Sequence, residues 1–464
     1  MSTASASPTV SIAAELARTI NRYQYEDLPA LAIEHAQMMI ASTLASAAAG
    51  RNIRSSAVVR ALAREQGGTA EASIWFDAGV RIPAVNAARV NALASDAAAS
   101  DDSDLRTIAH LGTQLTASTL ALAERGSSNG KDVLTAMVLG YEIAGRIAAS
   151  IMPRYRDLGF HGSLCVIFAS AVASARMLKL NDAQMAQTIS IAAVSMGGLG
   201  TAADTSEARE YFAGNAALLG VNAAYAAQKG YEVEERILET RKGFFDVYAS
   251  GKADINSVTR DWGKEWDIVT DMAIKLVPGG HPSHALGEAA ANASRLANVS
   301  ADQIEAIIVQ QPLNPKLRVG PMRAPSHPKN LVEIAHTPAY FVAAGAADKS
   351  FGWIHASEAK IKDPVIHALI DKIKVGEPVA DPEGKFRHGA VVTINTKDGR
   401  SFTSSVPAPR GSGAVGIEWK DVEDKFRTLV GGAGLAAGKV DGALAVVRDF
   451  RAVTDVAKLL GLLV

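Results

Sequence analysis

Between Lys275 and Leu286 the chain reads Lys275-Leu276-Val277-Pro278-Gly279-Gly280-His281-Pro282-Ser283-His284-Ala285-Leu286. One ammonium and two imidazoles in so short a span are groups that hold anions and move protons near neutral pH. Pro278 and Pro282 fix φ and lack amide donors, and Gly279 and Gly280 admit left-handed backbone. The segment is therefore expected to be a shaped loop, with Ser283 capping a helix that starts near Ala285. His281 and His284 stand three apart on a proline-containing loop without an obvious third ligand, so no metal is expected there. Asp101, Asp102, Arg106 and His110 form a second polar group. On a helix Asp102, Arg106 and His110 share one face, where a carboxylate can orient a guanidinium and an imidazole. The plainer reading of that spacing is an exposed, salt-bridged helix face. His161, in Gly159-Phe160-His161-Gly162, sits between glycines that allow close approach of a ligand, although a histidine beside a phenylalanine is more often a satisfied core residue.

These groups need elements to hold them. From Ser11 to about Ala273 the pattern is helix after helix, broken by glycine, proline and Asn/Asp clusters. Asp27 is expected to cap a helix with Pro29 in its first turn, carrying Leu31, His35, Met38, Met39 and Ser42 at helical spacing. The turn-like Gly126-Ser127-Ser128-Asn129-Gly130 precedes a helix marked by Leu134, Met137, Val138 and Tyr141. The many alanines predict closely approaching helices. Beyond Ile274 the texture changes. Residues 303–311 alternate like a strand, and residues 390–396 and 401–406 flank Lys397-Asp398-Gly399-Arg400, a hairpin signal. Residues 421–429 and 442–463 return to helix. The fold class expected is mainly α: an all-helical domain from 1–273 and 409–464, interrupted by an inserted α+β domain, 274–408.

The chain has 464 residues, 48% of them hydrophobic, a net charge of -1 and one cysteine, Cys165. This length and composition allow a large core and roughly two to three domains. The charge balance, without a basic stripe, argues against a nucleic-acid partner. A single cysteine excludes internal disulfides and cysteine-rich metal or cluster sites, and fits a reducing compartment. Residues 1–10 lack the basic and apolar segments of a signal peptide, and no apolar run reaches roughly 18 residues, so no membrane span is expected and a cytoplasmic location is. Gly198-Leu199-Gly200-Thr201-Ala202-Ala203 satisfies a loose dinucleotide pattern, but it follows an alanine-rich helix and lacks the acidic residue about 20 positions on.

Several further segments carry a resemblance spread over nearly the whole chain. They are Ser100-Asp101-Asp102 leading to His110, Leu120-Ala121-Leu122-Ala123-Glu124-Arg125, Gly140-Tyr141-Glu142, Gly159-Phe160-His161-Gly162, Gln228-Lys229-Gly230-Tyr231, Lys242-Gly243-Phe244-Phe245, the Lys275 loop, and Glu423-Asp424-Lys425-Phe426-Arg427. Together they resemble the 2-methylcitrate dehydratase (MmgE/PrpD) family. The resemblance implies a helical domain built from both chain ends, a smaller α+β domain over a cleft, a homodimer, no metal or organic cofactor, and a small anionic di- or tricarboxylate substrate. It implies catalytic roles for His161, Lys275, His281 and His110. Arg209 stands where the family carries a lysine, and a guanidinium suits clamping a carboxylate better than giving a proton. Asp101, Asp102, Arg106, His284 and Tyr340 complete the expected substrate-binding set, although an aromatic such as Tyr340 at helical spacing is usually core. The chain departs from the commonest family pattern at Ser103, Asp104 and Leu111, and Ala99 falls near the place of a carboxylate found in decarboxylase-type members. The activity expected is a dehydratase-type lyase, with epimerisation of a dicarboxylate or decarboxylation through related chemistry as alternatives. A non-catalytic binder with the same fold is the reading from another class.

Overall fold

In the computed structural model, residues 10–77, 79–195, 197–313, 327–381 and 383–464 are described. The chain is mainly helical, and its buried apolar side chains fall into two clusters. The first runs from Ile12 to Leu276 and resumes from Val422 to Leu463. The second runs from Val277 to Val406. The chain thus passes from one core to the other across the Leu276–Val277 peptide, directly after Lys275.

In the first cluster the helices Ala30–Gly50, Ala84–Ala97, Leu111–Gly126, Gly130–Ile151, Ser163–Met177 and Ala208–Gln228 are buried on most sides. A helix hydrophobic all round belongs in the interior of a large core. Helix Gly130–Ile151 is long and apolar enough to cross a membrane, but 89% of its apolar window is buried among the other helices. This body is not wholly helical, as the sequence suggested. Strand Asp102–Asp104 pairs antiparallel with Met272–Ile274, and Ala72–Ser73 pairs with Arg81–Ile82. Two helix starts also differ. Helix Ala30–Gly50 is preceded by Pro29, while Asp27 closes a 3-10 turn by accepting from the Gln24 amide at 2.8 Å. The segment expected as one helix over 442–463 is divided between Ala437–Arg448 and Ala457–Leu460.

The second cluster lies on a four-stranded sheet in the order Ser401–Val406, Ala390–Thr396, Ile304–Gln310, Ile373–Val375. The outer pair is the expected hairpin, with Ser401 opposite Asn395 and Val406 opposite Ala390. Against it packs helix His281–Ala297, crossed in turn by Pro338–Asp348. The crossing is tight: a Cβ on Gly345 would lie 2.2 Å from the Gly287 carbonyl oxygen. Small residues were expected to permit such an approach. The helix begins at His281, with Gly280 at its N-cap and Pro282 in its first turn, so Ser283 is not its cap. Proline lacks the amide that an N-terminal turn would leave unpaired anyway, which moves the start forward to it.

Candidate active site

The register of one short ladder builds the centre of the site. Asp102 pairs with Ile274, and the Lys275 amide continues the ladder by donating to the Asp101 carbonyl at 3.1 Å. Side chains one step beyond the pair are therefore neighbours. Lys275 Nζ donates to Asp101 Oδ1 at 2.7 Å. After the strand, Asp104 accepts from the amides of Arg106 and Thr107, and its own amide donates to the Ala109 carbonyl. That tight loop, with Ile108 at φ 59°, returns the chain so that His110 stands beside Asp101. His110 Nδ1 donates to Asp101 Oδ2 at 2.9 Å and lies 3.2 Å from Asp96 Oδ2. Thr113 Oγ adds a third bond to Asp101, at 2.8 Å. Asp102, Arg106 and His110 do not share a helix face, because a strand and a loop occupy the span. The pairing that imposes this comes from about 170 residues away in sequence.

A cavity of about 610 Å³ opens on this network. His110, His161 and Arg209 reach it from the first core, and Lys275, His281 and His388 from the boundary and the second. His161 Nδ1 accepts from the Ser163 amide at 3.2 Å, which puts the proton of the neutral ring on Nε2. His281 is buried, and neither ring nitrogen has a hydrogen-bond partner among the described residues. Its ring meets His284 edge-on at 4.9 Å.

The electrostatics separate the imidazoles. Burial would lower His110, but the Asp101 charge and the carboxylate hydrogen bonds outweigh it and raise the ring to about 9. Burial would raise Asp101, yet His110 and Lys275 hold it well below the usual carboxylate range. Asp96 is likewise held down against burial by Arg209 and His110. His281 goes the other way: burial, then the proximity of His284 and Lys275, push it well below its ordinary value. At neutral pH the cavity therefore presents an imidazolium seated on two carboxylates and a neutral imidazole without a partner. The first is arranged as an acid and the second as a base.

Other expected residues lie elsewhere. His284 stands behind the cavity, donates from Nε2 to the Val277 carbonyl at 2.9 Å, and is pushed down to about 3 by burial; it supports the loop rather than lining the cavity. Asp102 accepts from the Gly112 amide at 3.0 Å and is raised to about 7 by burial and the Asp101 charge. It too is behind the wall. Arg106 is half-buried and paired with Asp267, and it does not line the cavity. Tyr340 is fully buried in the second core with its hydroxyl donating to the His355 carbonyl at 2.6 Å, so it is a packing residue. Arg209 does line the cavity, but Nε donates to Asp96 Oδ1 at 2.8 Å and Nη2 to the Asp96 carbonyl at 2.9 Å, so its side-on face is taken by the protein itself.

Three residues were missed. Asp96 is one aspartate in an alanine-rich helix, and what marks it out is that it is only 2% exposed. His388 lines the cavity at φ 55° and ties the two cores together by donating from Nε2 to the Leu105 carbonyl at 2.8 Å. Lys425, fully buried, donates to Ser42 Oγ at 2.7 Å and to the Ser100 carbonyl, bracing the peptide before Asp101. The Glu423 to Arg427 segment signalled it, but without a partner.

Asp96, Asp101 and His110 bring three potential ligand atoms within 4.8 Å of one another. Their lone pairs already face Lys275, Arg209, Thr113 and one shared imidazole N–H, and a divalent cation there would sit beside the Lys275 ammonium and the Arg209 guanidinium. The arrangement does not fit a metal. The glycines Gly198 and Gly200 follow a helix, Asp182–Ser195, rather than a strand, so the dinucleotide pattern has no phosphate cradle.

Residues 14–256 match the model of the MmgE/PrpD N-terminal domain, and residues 278–441 match that of the MmgE/PrpD C-terminal domain. The interval between them contains Lys275 and the passage from one core to the other. The chain is 24% identical over 469 residues to a cis-aconitate decarboxylase of Homo sapiens, covering 98% of this chain and 94% of that protein. It is 26% identical over 408 residues to a cis-aconitate decarboxylase of Mus musculus, covering 84% and 80% respectively.

Proposed function

The chain belongs to the MmgE/PrpD family, and from that footing we propose that it is a cofactor-independent lyase of the dehydratase type acting on a small polycarboxylate such as 2-methylcitrate. The observation that carries the reading is the pair of unlike imidazoles in one cavity, cationic His110 and neutral, partnerless His281.

In this mechanism Lys275 holds the substrate carboxylate next to the reacting carbon. His281 takes the proton α to that carboxylate; the approach of an anion raises its basicity, since negative charge favours the imidazolium. The electron pair moves into the carboxylate, whose growing charge faces the Lys275 ammonium, where a preorganised cation contributes most. His110 gives the Nε2 proton to the departing hydroxyl as the C–O bond breaks. Water leaves, a C=C bond remains, and the cycle closes as His281 gives its proton to solvent and His110 takes one up, restoring both rings. Asp101 aligns both cations without touching substrate, and His161 lines the same cavity.

The relatives' names favour a second reading, decarboxylation, in which a C–C bond breaks to release CO₂ and His110 protonates the resulting carbanion. That route requires no base, so His281 would be idle. Incubation with di- and tricarboxylates in deuterated water separates the possibilities. Unsaturated product with deuterium exchange into recovered substrate supports the dehydratase. Release of CO₂ without exchange supports the decarboxylase, and exchange without loss of water or CO₂ identifies an epimerase. Inactivity across the panel refutes the lyase reading.

A further inference from the structure

Between Tyr155, which is buried, and His161 the chain makes a turn that is tied at both ends. The Tyr155 hydroxyl donates to the Thr107 carbonyl at 3.2 Å, and its own carbonyl accepts from the Phe160 amide at 2.9 Å. The Arg156 carbonyl accepts from the Gly159 amide at 2.9 Å, and Gly159, at φ 87°, supplies the left-handed residue that closes the turn. Arg156 is thereby held at the exposed rim of the cavity, on the same turn that leads to His161.

The other arginine and lysine that reach the cavity are engaged by carboxylates of the protein. Lys275 donates to Asp101, and Arg209 gives its Nε to Asp96. Arg156 differs from both. Asp157, beside it in sequence, pairs with Arg154 at 3.8 Å, and the Arg156 guanidinium has no hydrogen bond or ion pair among the described residues. Neither aspartate nor glutamate is among the described residues that line the cavity, so no carboxylate of the wall competes for it.

We propose that Arg156 holds a second substrate carboxylate, remote from the reacting carbon, and is thus a specificity-determining residue of this cavity. With one carboxylate at Lys275, another that reaches the rim meets the forked donors of a guanidinium, which match a carboxylate in shape as well as charge. Contacts at two places fix the direction in which a small acid lies, so that the carbon beside the inner carboxylate is presented to His281. Arg156 takes no part in moving protons. The inference rests on the lyase reading, which places a carboxylate at Lys275, and adds the residue that selects for a second one.

Succinate and glutarate, each compared with its own monoamide, test it, because the amide keeps the shape of the second carboxylate and removes its charge. Affinities are measured by calorimetry on the full chain, with no turnover required. Wild type is expected to bind at least one of the two diacids about fivefold or more tightly than its monoamide, the upper range for an ion pair open to solvent. Arg156→Gln should bring that ratio to within about twofold, while Arg156→Lys, which keeps the charge, should hold it above about twofold. Wild type binding both diacids no better than their monoamides overturns the proposal, and that comparison needs no variant. An Arg156→Gln ratio equal to that of wild type overturns it as well, because another group then holds the second carboxylate. Failure of wild type to bind any of these compounds overturns the lyase reading itself, whereas equal binding of diacid and monoamide overturns only the role of Arg156.

Discussion

Replacing Asp101 by asparagine keeps the shape of the side chain and removes the charge that organises the site. Asp101 is fully buried and accepts from Lys275 at 2.7 Å, His110 at 2.9 Å and Thr113 at 2.8 Å. In Asp101→Asn the Lys275 ammonium and the His110 imidazolium face each other with only Asp96 left to compensate. Raising His110 from 6.5 to about 9 corresponds to about 3 kcal/mol of preference for the charged ring. Asp101 is the largest favourable contribution to that preference, while burial and Lys275 oppose it. The ring in the variant is therefore expected to titrate at or below about 7, near its unperturbed range. The sign for stability follows from the direction of the shift. With the folded value above the unfolded one, His110 contributes stability that is fully present below 6.5 and lost as pH rises through about 9. The variant should lack that alkaline loss and be less stable at neutral pH by about 3 kcal/mol, as expected when one member of a buried charge network is removed. Histidine-selective ¹⁵N NMR titration reads the ring directly, with the resonance assigned by its absence in His110→Gln. The alkaline limb of kcat/KM should move down together with the ring. A His110 midpoint that stays near 9 in Asp101→Asn would refute the reasoning.

Lys425 has no carboxylate in contact, and burial pushes it down to about 7 from 10.5. Its folded value lies below its unfolded one, so it costs stability most below about 7, and the cost disappears as pH rises toward 10.5. Lys425→Met should accordingly raise Tm relative to wild type near pH 7, with the difference shrinking toward pH 10, while turnover falls about tenfold because the Ser100 carbonyl loses its brace; a Tm difference independent of pH would contradict this. Gly279 has φ 108°, and a Cβ there would lie 2.5 Å from the Ala335 carbonyl oxygen, so Gly279→Ala should lose about 2 kcal/mol or more and displace the Lys275 to His281 loop. Gly399→Ala, at φ 83° in the hairpin with nothing within 4 Å, should cost only about 1 kcal/mol by thermal melting and leave kcat/KM unchanged.

Elements governed by local chemistry were legible in the sequence. The hairpin from Ala390 to Val406 is set by Asp398 and Gly399 and by β-branching on either side, and the Lys275 loop is shaped by its own prolines and glycines. The change of texture near Ile274 corresponds to the passage between the two cores. What was not legible depends on partners distant in sequence. Residues 102–110 have helical spacing on paper, yet pairing with Met272–Ile274 makes them a strand and a loop. Asp96 has its significance from Arg209, 113 positions away, and Tyr340 is core because His355 offers a carbonyl inside the second cluster. Substitution of a lysine by Arg209 suggested a bidentate clamp, and only the position of Asp96 shows which partner the fork takes.

The central claim is that His281 removes a proton and His110 returns one to the leaving group. It is tested most directly by solvent exchange in deuterated water with a turned-over polycarboxylate, comparing His281→Gln and His110→Gln. Removing the base should abolish both exchange and dehydration, by about a hundredfold or more, whereas removing the acid should suppress dehydration while exchange at the α-carbon persists. Exchange at near wild-type rate in His281→Gln would contradict the account.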